Sequence, residues 1–369
     1  MKIICNQHDL LSSINIAQKA VPSKSTMPVL ECLLIEAYDG SIKISSSNME
    51  LSIETYLTGR IDIEGQVALN AKIFSEIVRK LPDDRVTIEV DQQFVTYIYC
   101  GPAKFKISGL LGDDFPKIPN YNKNDYINIS QLSLKDIIRQ TIFSIGDESR
   151  NRVMTGEHFE ISDNVLTMTS LDGHRISIRK TTLKENYAEK DIVIPGKTLS
   201  DISKLLSDDI ESEVTIYFSE NNIIFEFENT IVLSRLVEGK YLNVKQMINN
   251  DYDTCIRINK RMLYECFDRA SLLVRESEKK PIIIGIYDGK INLNMNTSIG
   301  SLDEEIEVEK EGKDLLIGFN PKFLMDVIKV IDDEEITIYL TNAKAPCFIR
   351  DEQGTYNYIV LPVNFNSVQ

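Results

Sequence analysis

The chain has 369 residues, 43% of them hydrophobic and 26% charged, and a formal net charge of −15. Two to three ordinary domains fit that length, no segment approaches the roughly 18 apolar residues of a membrane span, and the acid excess, taken as a sum, argues against a nucleic-acid binder. Field depends on where charge sits, so the elements come first.

Met1-Lys2-Ile3-Ile4-Cys5 alternates at once into a strand and lacks a secretory leader layout. An amphipathic helix over 8–20 follows, then a hairpin over 35–44 centred on Asp39-Gly40, a dipeptide in which both residues tolerate positive φ. Lys72 leads a second helix, 71–81, with Phe74, Ile77, Val78 and Leu81 on one face. It stops at Asp83-Asp84, and Val86-Thr87-Ile88 opens another strand. Turn formers cluster over 112–120. The same order then recurs: helix 133–144, hairpin at Asp163-Asn164, helix 197–207, Asp208-Asp209, strand from Val214. After a linker over about 238–253 it comes a third time, with helix 259–275, hairpin at Asp288-Gly289, helix 321–331, Asp333-Glu334 and a strand from Ile336. Lys72, Lys197 and Lys322 stand 125 residues apart, too long a period for a solenoid. The pattern predicts one α+β domain built three times, each copy with two helices and antiparallel sheet, bounded at 1–121, 122–250 and 251–369.

The six predicted helices carry 14 Lys/Arg against 7 Asp/Glu, which leaves about −22 on the remainder. Any one basic helix face is ordinarily just solvated. Six helices that are neutral or basic in an acidic chain suggest a collected surface that meets phosphate without reading sequence. Lys19, Lys72, Arg79, Lys135, Arg139, Lys204, Lys260, Lys322 and Lys329 are its candidates.

Six cysteines at 5, 32, 100, 255, 266 and 347 show no metal-like spacing and read as free, mostly buried thiols of a reducing, cytoplasmic compartment. No metal or cofactor is expected. The best catalytic constellation is Asp172-Gly173-His174-Arg175, with Asp172 orienting His174 as a base and Arg175 holding an anion. A monomeric hydrolase or anion-binding enzyme is therefore the rival reading. A protein-binding scaffold is a third, but it gives no reason for basic helices.

Asp172-Gly173-His174-Arg175 also carries a family resemblance, together with Thr26-Met27-Pro28-Val29-Leu30, Asp114-Phe115-Pro116, Ser234-Arg235-Leu236-Val237-Glu238-Gly239-Lys240-Tyr241 and Tyr358-Ile359-Val360-Leu361-Pro362-Val363. In that order, over the whole chain, these resemble the bacterial DNA polymerase III beta subunit, the replication sliding clamp. The resemblance implies a non-catalytic processivity factor: a head-to-tail homodimer closing a ring of six domains, with twelve helices around duplex DNA.

The resemblance also implies a groove for short linear peptides of the polymerase, the clamp loader and repair proteins. One part falls on Met154, Leu171, Gly173, His174, Arg175, Ile176, Leu242 and Met247. The rest falls on Asn320, Phe323, Pro346, Ile359, Leu361, Pro362 and Val363. Apolar and methionine side chains suit an adaptable groove. Leu242 stands where many members have Pro, Leu171 where they have Thr, and Gln246 and Asn364 where they have Arg, so this groove is expected to be greasier and less basic.

DNA contacts, by the same resemblance, fall on Lys24, Arg152 and Lys197. For the dimer, the alternating Lys104-Phe105-Lys106-Ile107 and the acidic run containing Asp303, Glu304, Glu305 and Glu307 read as complementary edge strands. Leu272 and Leu273 are implied to pack nearby.

Overall fold

The computed structural model describes residues 1–146, 151–273 and 280–365. Its α-helices are α1 (Gln7–Ala17), α2 (Ala71–Lys80), α3 (Gln131–Thr141), α4 (Gly196–Ser203), α5 (Lys260–Ser271) and α6 (Pro321–Val330). Side-chain oxygens satisfy several helix starts: Asn70 accepts from Ile73 N–H, Asn259 from Arg261 and Met262, and Asn320 from Lys322, with Pro321 at the first helical position. Arg79 and Lys80 in the last turn of α2, and Lys329 in that of α6, complement the helix dipole.

Three ends differ from expectation. The first and third helices tighten into 3-10 turns over Gln18–Ala20 and Ile142–Ser144. α4 stops at Ser203 rather than at 207, where the Ser207 N–H instead donates to Gln131 Oε1 at 2.8 Å. Val274 and Arg275, the predicted end of the fifth helix, lie outside the described residues.

All three hairpins have two-residue loops, flanked by the pairs Tyr38–Ser41, Ser162–Val165 and Tyr287–Lys290. Both central residues take positive φ only in the first, at Asp39 (50°) and Gly40 (76°). The second uses Asp163 alone, at 54°, and the third Gly289 alone, at 70°.

The chain forms two compact units. The first comprises Met1–Leu132 and Lys204–Leu236, the second Ser133–Ser203 and Val237–Gln369, so the middle repeat is divided between them. In the first unit, a five-stranded sheet runs Gly59–Ile63, Lys2–Asn6, Arg85–Val90, Val95–Cys100, Ala103–Ser108. An eight-stranded sheet beside it runs Tyr126–Ser130, Glu213–Phe218, Asn222–Phe227, Thr230–Arg235, Leu51–Leu57, Ser41–Ser47, Cys32–Tyr38, Gly65–Asn70. One core serves both sheets and helices α1 and α2. Ile3, Ile88, Leu33, Ile44, Leu10, Ile14, Phe74 and Val78 are all fully buried in it. At about 1.5–3 kcal/mol per buried large apolar side chain, that shared core decides which face each element turns inward.

The second unit repeats the plan. Its nine-stranded sheet runs Lys190–Pro195, Gly156–Ser162, Val165–Leu171, Arg175–Thr182, Tyr356–Val360, Cys347–Arg350, Glu335–Leu340, Thr254–Asn259, Glu309–Gly312. Its four-stranded sheet runs Gly300–Glu307, Lys290–Thr297, Ile282–Tyr287, Leu315–Phe319. α5 and α6 close the core through Leu263, Phe267, Leu324 and Val327. In each unit the large sheet is thus continuous across a junction between consecutive repeats. Leu51–Leu57 pairs with Thr230–Arg235, and Arg175–Thr182 with Tyr356–Val360.

Candidate functional site

Asp172-Gly173-His174-Arg175 is a turn between two strands of the nine-stranded sheet. The backbone N–H groups of His174 and Arg175 donate to Asp172 Oδ1 at 3.0 and 3.1 Å, an Asx-type turn. Gly173 sits at φ +87° with open space where a Cβ would project. Arg175 is buried, and each of its three guanidinium nitrogens donates a hydrogen bond. Nε donates to Asp172 Oδ2 (2.9 Å), one terminal nitrogen to Asp326 on α6 (2.6 Å), and the other to the Phe143 carbonyl (2.6 Å). The cation also lies 4.4 Å from the Phe323 ring centroid, and the His174 ring stacks on Phe323 at 6.1 Å. Neither half of the expected catalytic arrangement is therefore assembled. The Asp172 carboxylate is taken by the turn and by Arg175 rather than by the imidazole, and each nitrogen of the buried Arg175 guanidinium is already bonded within the protein. The hydrolase reading is corrected on that ground.

Around this turn the second unit gathers the residues expected of a groove. Leu361 N–H donates to the His174 carbonyl at 2.8 Å, and Ile176 pairs with Ile359. Leu171 is buried in an apolar cluster that Met154 and Ile176 pack against, and Ile359 is buried too, so Leu171 and Ile359 form a floor while Met154 and Ile176 are half-buried. Leu242, Met247, Leu361 and Val363 remain exposed, at 46, 45, 42 and 36%. Phe323 and Pro346 are half-buried, and Asn320 caps α6. The Val363 N–H donates to the Gly318 carbonyl at 2.8 Å, and Phe365 lies against the same glycine, so residues 363–365 lie beside Leu315–Phe319.

Sequence reasoning missed what holds the floor in place. Tyr358, fully buried, donates its hydroxyl to the Phe323 carbonyl at 2.9 Å, and Phe143 packs on the Tyr358 ring at 5.8 Å. In the sequence Asp326 is simply the acidic residue four positions after Lys322, as Glu76 is after Lys72 and Asp201 after Lys197. Also unforeseen is a cavity of about 580 Å³ between segment 240–248 and the sheet. Leu242 and Ile178 line it, as do the ion pair Lys245–Glu160 (2.6 Å) and the hydrogen-bonded His158 and Asp191 (2.8 Å).

Of the residues expected at DNA, Lys24 is exposed in the first unit, and Arg152 and Lys197 are exposed in the second. The last two sit on abutting elements: Arg152 opens the 3-10 turn Arg152–Thr155, and a Cβ on Gly196, just before Lys197, would lie 2.9 Å from the Thr155 carbonyl. Two of the helix cations serve structure instead. Arg139 donates to both Asp332 carboxylate oxygens (3.0 and 2.9 Å) and to the Val330 carbonyl (3.0 Å). Lys260 Nζ donates to the Ile331 carbonyl at 2.7 Å. Both close the C-terminal end of α6, where unsatisfied carbonyls draw cations. Lys19, Lys72, Arg79, Lys322 and Lys329 are exposed.

The two expected seam segments are both sheet edges. Among the described residues, Ala103–Ser108 pairs only with Val95–Cys100, and Gly300–Glu307 only with Lys290–Thr297. Lys104, Phe105 and Lys106 are exposed, Ile107 and Leu273 half-buried, and Leu272 is 77% exposed. The acidic edge is less bare than its composition suggests. Glu304 is held by Arg269 and by the Cys266 thiol, Glu305 by Lys290 at 3.1 Å, and Asp303 by the Asn292 amide at 2.7 Å. Arg269 in turn holds the Glu304 carboxyl below the usual carboxylate range.

Comparison with known proteins agrees with this architecture along the whole chain. Three family models match in order, the DNA polymerase III beta subunit N-terminal domain over 1–119, central domain over 128–243 and C-terminal domain over 245–364. The beta sliding clamp of Halalkalibacterium halodurans is 35% identical over 360 residues, covering 94% of either chain. A putative DNA polymerase III beta subunit from Eubacterium rectale superposes with a TM-score of 0.95 at 54% identity, covering 99% of this chain and 100% of its own. The sliding clamp from Bacillus subtilis gives 0.95 at 33% identity over the same shares. With the family matched over all three repeats, the chain belongs to the DNA polymerase III beta subunit family, that of the beta sliding clamps.

Proposed function

We propose that this protein is a DNA sliding clamp of the cytoplasm. Two copies close head to tail into a ring of six repeats, bounded at 1–121, 122–250 and 251–369 in each chain. The ring encircles duplex DNA. The groove around His174, Leu361 and Phe323 takes short peptides of the replicative polymerase, the clamp loader and repair proteins.

The observation that carries the ring is an unfinished repetition. Every junction between consecutive repeats within the chain joins a fourth strand to a last strand: Leu51–Leu57 to Thr230–Arg235, then Arg175–Thr182 to Tyr356–Val360. One fourth strand, Gly300–Glu307, and one last strand, Ala103–Ser108, are left at sheet edges. A second copy supplies each missing partner. The contact is heterologous, and two such contacts close a cycle and remove both edges.

The mechanism is topological and needs no reacting group. Encirclement keeps the clamp on the duplex whatever its sequence, and a peptide contact that would soon dissociate becomes a tethered one at high effective concentration. Exposed Lys24, Arg152 and Lys197 suit phosphate contacts that are weak and salt-sensitive. The acidic remainder of a chain at −15 discourages adhesion elsewhere.

Negative-stain electron microscopy with sedimentation velocity tests the reading. Closed rings of six similar lobes at the mass of two chains are expected. Single-chain particles or open rods at micromolar concentration would overturn it.

A further inference from the structure

The register of the joint between copies follows from the two joints inside the chain. In the first repeat, cross-strand pairing runs outward from the hairpin as Leu34–Ser45–Glu54. In the second it runs His158–Thr169–Ile178, and in the third Ile283–Asn294–Asp303. Glu54, Ile178 and Asp303 are therefore structurally equivalent. The last strands align in the same way, through Thr87–Tyr99–Lys104, Thr215–Glu226–Ile231 and Thr337–Arg350–Asn357. Lys104, Ile231 and Asn357 are thus equivalent as well.

Both internal joints use one register. Glu54 pairs with Ile231 at the first, and Ile178 with Asn357 at the second. Resting on the ring reading above, we infer that Lys104 of one copy stands opposite Asp303 of the other, with Phe105 opposite Leu302 and Lys106 opposite Ser301. The chemistry of the edges is compatible with the same alignment, which alone among the near registers sets Phe105 against an apolar residue while pairing Lys104 with an acid. An opposite-charge pair and an apolar pair fall into place together. A one-residue slip sets either Lys104 against Leu302 or Phe105 against Asp303, and turns every side chain to the wrong face.

The apolar pair also occupies the position that is dry at the internal joints. Its counterparts Ile53 and Val232 are 1% exposed, and Ser177 and Tyr358 are fully buried, whereas Phe105 is 38% exposed at an open edge. Among the acidic residues of that edge, Asp303 alone is aligned with a lysine. Glu304 faces the small Ala103, which leaves room for its pairing with Arg269.

Two experiments test the register apart from the ring. Copper-phenanthroline oxidation of a Phe105→Cys/Leu302→Cys variant is expected to give covalent dimers, and Phe105→Cys with Ser301→Cys or Asp303→Cys at least tenfold fewer. Equal or greater cross-linking of a slipped pair would overturn the register while leaving a dimer. Lys104→Asp is expected to raise the dimer dissociation constant about tenfold, since each ring contains the pair twice. Adding Asp303→Lys is expected to restore it, and Glu304→Lys is not. Rescue by Glu304→Lys in place of Asp303→Lys would overturn the register too. A wild-type chain that sediments only as a monomer would overturn both readings.

Discussion

Arg175 stands 2.6 Å from Asp326, and that contact fastens a turn between two strands to the middle of helix α6. It crosses from the second repeat to the third within one unit, beside the residues proposed to form the groove. Removing the arginine leaves two carboxylates facing each other across a largely buried space. Unpairing a buried charge of this kind costs about 3 kcal/mol. Arg175→Ala is therefore expected to lower the urea midpoint clearly and weaken peptide binding with it, whereas Asp326→Asn, which keeps a hydrogen-bond acceptor, is expected to do less of both. Denaturation curves for the two variants decide this.

Leu361 and Met247 are exposed in the free chain and hold little of the fold. Their replacement by alanine is expected to lower affinity for a fluorescein-labelled hexapeptide with leucine and phenylalanine anchors by about tenfold each, a loss of about 1.4 kcal/mol. Thermal unfolding should move by no more than about 2 °C. Unaltered peptide anisotropy curves would remove both residues from the groove. Truncation has to begin after Val360, because Tyr356, Tyr358 and Val360 are fully buried core.

Glu157 is fully buried, and desolvation raises its carboxyl from 4.5 to about 8. Geometry agrees: the single hydroxyl proton of Thr141 already has the Ile137 carbonyl at 2.7 Å, so the 2.6 Å contact to Glu157 suits a protonated acid. The folded state then binds more protons than the unfolded one between pH 4.5 and 8. Stability must fall as pH rises through that window, by up to about 1.4 kcal/mol per pH unit, and level off above it. Glu157→Gln should remove the slope. Urea titrations at pH 5.5, 7 and 8.5 measure it, and a wild-type profile that is flat or rises would contradict the buried acid.

Lys197 and Arg152 are exposed on abutting elements of the second unit. Each is expected to release about one counterion when it meets a phosphate. Alanine at either should flatten the plot of log affinity against log salt by about 0.9, equally for unrelated duplex sequences. Fluorescence titrations at several salt concentrations check this, and an unchanged slope would place the residue off the DNA.

Gly312 has φ +94°, and a Cβ there would lie 1.9 Å from the Asp253 carbonyl oxygen. Neither the dihedral nor the backbone contact tolerates a side chain. Gly312→Ala should cost more than about 2 kcal/mol, visible in thermal melts, and a neutral result would contradict the local geometry.

Periodicity by itself determined the repeat, the helix positions and the hairpins, because each is a local rule. Phe74, Ile77, Val78 and Leu81 declare a helix face, Asp39-Gly40 declares a turn, and a 125-residue offset declares equivalence. What was not legible depends on partners distant in sequence. Nothing near Arg175 foretells that Asp326, 151 residues on, takes its charge, nor that Arg139 and Lys260 are drawn from a basic surface to close the end of α6. The acidic edge read as a bare block until folding brought Arg269 against Glu304. Charge pairing and strand register are long-range contacts, made by whichever groups the packed core brings within reach. Sequence supplied the candidates, and tertiary structure decided which of them were already spent.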